Sequence, residues 1–186
     1  MSTHYSASIL LCLALSVLLP QATAAPVDPE QRAPIDLRRT TLIVADIDRS
    51  LAFYRDALGM VVTYDRTIVT PRDASRDDAE SVRRLVLLRA NDDYVGMIGL
   101  LQYIKPENPR VDLKGAAFRE GTTVLVFNTD ELEESFARAR ELPGVVVLDE
   151  PERITYPSYA GEKAITVLIS AMQDPDGFTV ELNQLQ

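Results

Sequence analysis

Apolar and polar positions along this chain follow two periods, and the switch between them occurs in a repeated order. An unbroken apolar run, Ile9 to Leu19 (ILLCLALSVLL), comes first. Ala25 to Leu37 (APVDPEQRAPIDL) is Pro-rich and polar and predicts a tether. Arg39 to Val44 (RTTLIV) is rich in β-branched residues and predicts a strand. Asp46 stands where a helix cap belongs, and Leu51, Tyr54 and Leu58 recur behind it at helical spacing. Gly59 occupies the position glycine favours after a helix. Met60 to Asp65 (MVVTYD), Arg84 to Leu88 (RLVLL) and Val95 to Tyr103 (VGMIGLLQY) predict three further strands. Arg66 to Ser81 is charged and aperiodic, which predicts a long loop serving as a flap or a mobile segment.

After a linker that opens with Lys105 to Pro109 (KPENP), the order repeats. Thr122 to Phe127 (TTVLVF) predicts a strand. Asp130 is expected to cap a helix, with Glu133 three residues on in a capping-box arrangement. Leu132, Phe136, Ala139 and Leu142 give that helix an apolar face, and Pro143-Gly144 stops it. Val145 to Leu148, Ala164 to Ile169 and Thr179 to Leu182 complete the set as strands. Asp174-Pro175-Asp176-Gly177 between the last two carries proline and glycine where a type I turn prefers them. Strand–helix–strand–strand–strand therefore occurs twice. The caps Asp46 and Asp130 lie 84 positions apart and the fourth-strand centres Gly99 and Glu181 lie 82 apart, as an internal duplication requires.

The leading apolar run is too short to span a bilayer and has the length of a signal-peptide core. Ala22-Thr23-Ala24 supplies an A-x-A cleavage site, which predicts a leader over 1–24 and a periplasmic or secreted product. His4 and Cys12, the only histidine and cysteine, both lie in that leader. The product would have neither imidazole nor thiol, the main zinc ligands, and no Ser-His or Cys-His nucleophile. No membrane association is expected after cleavage. The roughly 160 remaining residues suffice for a cysteine-free core. A formal charge of −9 argues against nucleic acid, whose binding rests on Lys and Arg at phosphates.

Three stretches carry a resemblance: Val44 to Met60 (VADIDRSLAFYRDALGM), Asn128 to Ala139 (NTDELEESFARA) and Asp174 to Leu182 (DPDGFTVEL). Together, the D-x-x-x-S-x-x-F-Y helix and the DPDG-x-x-x-E ending resemble the vicinal-oxygen-chelate superfamily. That superfamily includes glyoxalase I, ring-cleaving dioxygenases, and fosfomycin- and bleomycin-resistance proteins. The resemblance implies an α+β fold of two tandem βαβββ modules forming a cup, and a homodimer. Module one would span 38–105, a linker 106–120 and module two 121–186, after a tether at 25–37. Metal-dependent members place one ligand on the first and one on the fourth strand of each module. Carried over by register, these positions fall on Arg39, Gly99, Val124 and Glu181. Only Glu181 keeps a ligand side chain, so no metal or other cofactor is expected.

Strand alternation sends Arg39, Thr41 and Ile43 to one face, and likewise groups Met97, Gly99 and Leu101, then Val124 and Val126, then Thr179, Glu181 and Asn183. If these faces line the cup, it is mostly apolar with a few polar groups, as small-molecule pockets are. Gly99 would leave room where a glutamate ligand stood, and Arg39 and Glu181 are expected to pair in place of a metal. Tyr156 and Tyr159 in the loop from Glu152 to Lys163 are expected to form an aromatic lip. Phe53 and Tyr54 are expected to pack rather than to react. The leading reading is capture of a small molecule without metal chemistry. A second is a metal-independent lyase or isomerase, with Glu181 as general base and Arg39 as electrostatic stabiliser. A third is a structural or interaction domain.

Overall fold

The computed structural model describes residues 27–157 and 164–186. The expected leader, with His4 and Cys12, and the lip residue Tyr159 lie outside the described residues. In the tether, Pro29–Gln31 form a single 3-10 turn, with the Asp28 carboxylate accepting from the Glu30 N–H. Asp36–Gln186 form a compact unit of their own.

That unit contains two modules of the expected order. In the first, β1 (Arg39–Ile43) is followed by α1 (Ile47–Leu51), β2 (Val61–Thr70), β3 (Ser81–Arg89) and β4 (Met97–Lys105). In the second, β5 (Val124–Asn128) is followed by α2 (Leu132–Arg140), β6 (Val146–Tyr156), β7 (Ile165–Gln173) and β8 (Thr179–Leu185). The sheets have the orders β1-β4-β3-β2 and β5-β8-β7-β6. In each, the first strand runs parallel to the fourth and the other pairs are antiparallel. This is the tandem βαβββ fold, with each curved sheet open on one face.

One face of each sheet is sealed. Leu42, Val86, Leu88, Ile98 and Leu100 from the first sheet and Leu125, Leu168, Met172, Val180 and Leu182 from the second belong to one buried cluster. Ile47, Leu51, Leu132, Phe136 and Ala139 join it from the helices. The alternate strand residues face away from this core, and they include the exposed Ile43 and Val126.

The elements depart from the sequence expectations where local patterning is weak. Between Arg66 and Ser81 a long loop was expected, yet β2 and β3 stay paired as far as Thr70 and Ser81. β2 is an edge strand, so its polar side chains meet solvent and leave no apolar alternation to read. β6 likewise runs well past its apolar start, through Pro151, with register shifts near that residue. A bulged edge strand tolerates proline. Consequently Tyr156 ends a strand, paired with Ile165, rather than standing in a loop.

Helix starts also differ between the modules. The Asp46 carboxylate accepts from the N–H groups of Asp48 and Arg49. The expected cap at Asp130 is not made: α2 begins after Glu131, whose side chain forms no capping bond. Instead the Leu132 N–H donates to Gln184 Oε1 at 3.3 Å, just as the Ile47 N–H donates to Gln102 Oε1 at 3.2 Å. The fourth strand of each module thus supplies a glutamine to the helix of the same module. α1 widens into a π-helical turn over Ala52–Ala57, with Leu58 N–H donating to Phe53 C=O. Adjacent residues Phe53 and Tyr54 are both fully buried there, edge to face at 5.0 Å.

Candidate functional site

The cup faces carry the expected residues, arranged differently from the expectation. In the first sheet, Arg39 lies beside Met97, and Thr41 beside Gly99 and then Leu87. A Cβ added at Gly99 would lie 3.0 Å from Thr41 Oγ1 and 3.5 Å from Leu87 Cδ2. The space expected there is filled by those two side chains. In the second sheet, Val124 lies beside Thr179, and Val126 beside Glu181. Glu181 Oε1 accepts from Asn183 Nδ2 at 3.0 Å, and Asn183 Oδ1 is buried without a partner.

Arg39 and Glu181 belong to different sheets, and no ion pair joins them. The expected pairing is therefore not made within the chain. The donor set at the four family positions does not fit a metal: a guanidinium, a glycine and a valine accompany one carboxylate. Among the described residues, no group of three His, Cys, Asp or Glu side chains comes together elsewhere.

A cavity of about 620 Å³ opens beside β1. Thr41 and Ile43 form one side, Gln102 to Ile104 of β4 another, and linker residues Glu107 to Val111 with Leu113 fold over it. Asp176 and Phe178 contribute from the turn of module two. Among the described residues expected to line the cup, Thr41 and Ile43 line this cavity, and Arg39, Met97, Gly99, Leu101, Val124, Val126, Glu181, Asn183 and Tyr156 do not. Sequence reasoning missed Gln102, the linker and the DPDG turn as site elements. The one available signal was the proline pair of KPENP, which marks a shaped linker but not what it covers.

The wall formed by the turn is held by two buried carboxylates. Asp176 accepts from the Ala45 N–H at 3.0 Å, Arg49 Nη2 at 3.1 Å and Ser50 Oγ at 3.0 Å. Asp174 Oδ1 accepts three backbone N–H groups, those of Asp176, Gly177 and Phe178, each at 2.9 Å. Its Oδ2 accepts from the Tyr54 hydroxyl at 2.8 Å. Burial raises the Asp174 pKa to about 6, despite these donors. Burial, then the neighbouring Asp174 carboxylate, raises the Tyr54 phenol well above its usual value. The helix motif of module one and the terminal motif of module two are thus partners in one inter-module network. Phe53 and Tyr54 are both buried in the core, and Tyr54 adds to its packing the hydrogen bond to Asp174.

Comparison with known proteins gives the same fold. The profile described as Glyoxalase/Bleomycin resistance protein/Dioxygenase superfamily matches residues 36–182. A glyoxalase family protein from Bacillus cereus superposes with a TM-score of 0.63 at 11% identity, covering 83% of this chain and 97% of that one. Glyoxalase I from Leishmania major superposes with a TM-score of 0.50 at 22% identity, covering 81% and 86%. No curated protein matches the chain. The profile match spans most of the sequence and both modules, and the chain belongs to the glyoxalase/bleomycin resistance protein/dioxygenase superfamily.

Proposed function

We propose that this chain is an exported, metal-independent member of the superfamily that captures a small molecule on the cup side of module one. The cavity beside β1 carries the reading. Its volume lies in the usual range for small-ligand sites, and apolar side chains such as Ile43, Ile104, Val111 and Phe178 share its lining with polar and charged ones. Glu181, the proposed general base of the lyase alternative, does not line it.

Export, to the periplasm or beyond, rests on the leader pattern of residues 1–24. N-terminal sequencing of protein from the exporting host should begin at Ala25, or at Pro26 if the cut falls after Ala25. An intact Met1 would remove the export part of the reading. Native mass spectrometry with metal analysis on the same sample tests the rest. A stoichiometric organic molecule without metal is the expected result. Stoichiometric metal, or a constitutively bound protein in place of a small molecule, would sink it.

A homodimer is the second part of the proposal. Val126 is 57% exposed on the open face of the second sheet, away from the cavity, apolar surface that a second copy would cover. Sedimentation equilibrium should give twice the chain mass at micromolar concentration, and a monomer there would refute this part.

A further inference from the structure

The strands of the two sheets carry opposite charge. β1 to β4 hold five arginines and one lysine against a single carboxylate, Asp65. β5 to β8 hold four carboxylates and one arginine. The duplicated fold therefore does not demand arginine in the first sheet, and a chain of formal charge −9 concentrates it there against its own average. Arg84 takes the one carboxylate on the helix side, where its guanidinium bonds Asp65 and reaches Asp48 of α1. Strand alternation sends the neighbours of that pair, Arg66 and Arg83, to the open face. The register of β2 and β3 is regular here, with Arg66 opposite Leu85 and Ile68 opposite Arg83. The two arginines are thus diagonal neighbours, about 7 Å apart. Neither makes an ion pair among the described residues. Arg66 Nη1 donates to the Asp65 C=O, Arg83 Nη2 donates to Thr70 Oγ1 at 3.4 Å, and Arg83 Nε is enclosed without an acceptor.

We infer that this face binds a small amphipathic anion, with a carboxylate head held by Arg66 and Arg83 and an apolar chain laid along Leu85 and Leu87. A guanidinium matches a carboxylate in shape and charge, and two adjacent ones share its two oxygens. Leu85 and Leu87 are half-buried on the same face, with Leu101 of β4 beside the first and Tyr64 of β2 beside the second. From Arg83 to Leu87 the strand advances about 13 Å, the reach of a medium-length alkyl chain. An enclosed charged donor without an acceptor is costly, and an anion placed there removes that cost. The acidic face of a second copy fits less well. Its carboxylates Glu152 and Glu181 stand on β6 and β8 with β7 between them, so they present no adjacent pair. None of the residues lining the cavity beside β1 belongs to β2 or β3, so this is a separate site and does not rest on the capture reading.

The test titrates the 15N-labelled protein at neutral pH with three probes. Octanoate has head and chain, octanamide keeps the chain and loses the charge, and acetate keeps the head alone. Octanoate should move the Arg83, Leu85 and Leu87 amide resonances most and bind at least about tenfold more tightly than either control. Arg66→Gln removes one charge from an exposed side chain. It should weaken octanoate about tenfold and leave octanamide unchanged. Arg83→Gln should act in the same way, and if it does not fold, Arg66→Gln and the acid–amide comparison decide. Equal binding of octanoate and octanamide, no saturable binding of octanoate, or no effect of Arg66→Gln would overturn the inference. Octanoate shifts centred on Thr41 and Gln102 would also overturn it and leave the capture reading standing. A dimer that Arg66→Gln dissociates and octanoate leaves unperturbed would overturn it too, and would assign this face to a second copy.

Discussion

Asp174 and Asp176 are two residues apart and both buried, yet their surroundings give them different tasks. Asp176 faces a guanidinium, a hydroxyl and an amide; Asp174 faces a phenol and the amides of its own turn. A carboxylate whose folded pKa is raised holds its proton more tightly folded than unfolded. Its contribution to stability therefore grows as pH falls through about 6 and is lost as pH rises. Measured against Asp174→Asn, the parent should gain about 1 kcal/mol in urea unfolding between pH 7 and pH 5. A difference that is flat across that range would mean the carboxyl is not desolvated. Arg39 is the opposite case, a charged residue on a cup face that makes no ion pair among the described residues. Arg39→Leu should change stability by less than about 1 kcal/mol, and a larger loss would restore the idea of a structural pair.

At the scale of elements, each fourth strand reaches across to the start of its own module's helix through one glutamine. Removing Gln102 leaves the Ile47 N–H without its acceptor, though Asp46 still caps the next two amides. Removing Gln184 strips α2 of an acceptor at an end where Glu131 makes no capping bond. Gln184→Ala should therefore cost about 1 kcal/mol in thermal or urea unfolding, and Gln102→Ala less. Equal costs would show that the glutamines act by packing and not by capping. The elements read poorly from sequence share a cause. β2 and β6 are edge strands whose exposed polar stretches carry no apolar alternation, so only pairing with β3 and β7 reveals their length. The π-helical turn is equally hidden, because it is the burial of neighbouring Phe53 and Tyr54 that the local widening serves.

At the scale of the whole unit, the modules are joined by polar contacts as well as by core. Arg138 of α2 donates twice to the Ala57 carbonyl at the end of the first helical segment, and the DPDG turn holds α1. Asp176→Ala would leave the Ala45 N–H, the Ser50 hydroxyl and the Arg49 guanidinium without their acceptor. Unfolding should be easier by about 3 kcal/mol, and the cavity should lose the carboxylate that Asp176 contributes to its wall. A variant as stable as the parent would show that water replaces the carboxylate and that the core alone joins the modules. The sequence by itself determined the repeated βαβββ order, the two motifs, the apolar faces and the poverty of the donor set, because these follow from residue type and spacing along one element. Only the tertiary structure decided that the motifs bind each other, that Arg39 and Glu181 stay apart, and that a cavity opens beside β1. Those outcomes depend on contacts between residues more than a hundred positions apart, where no local period carries information.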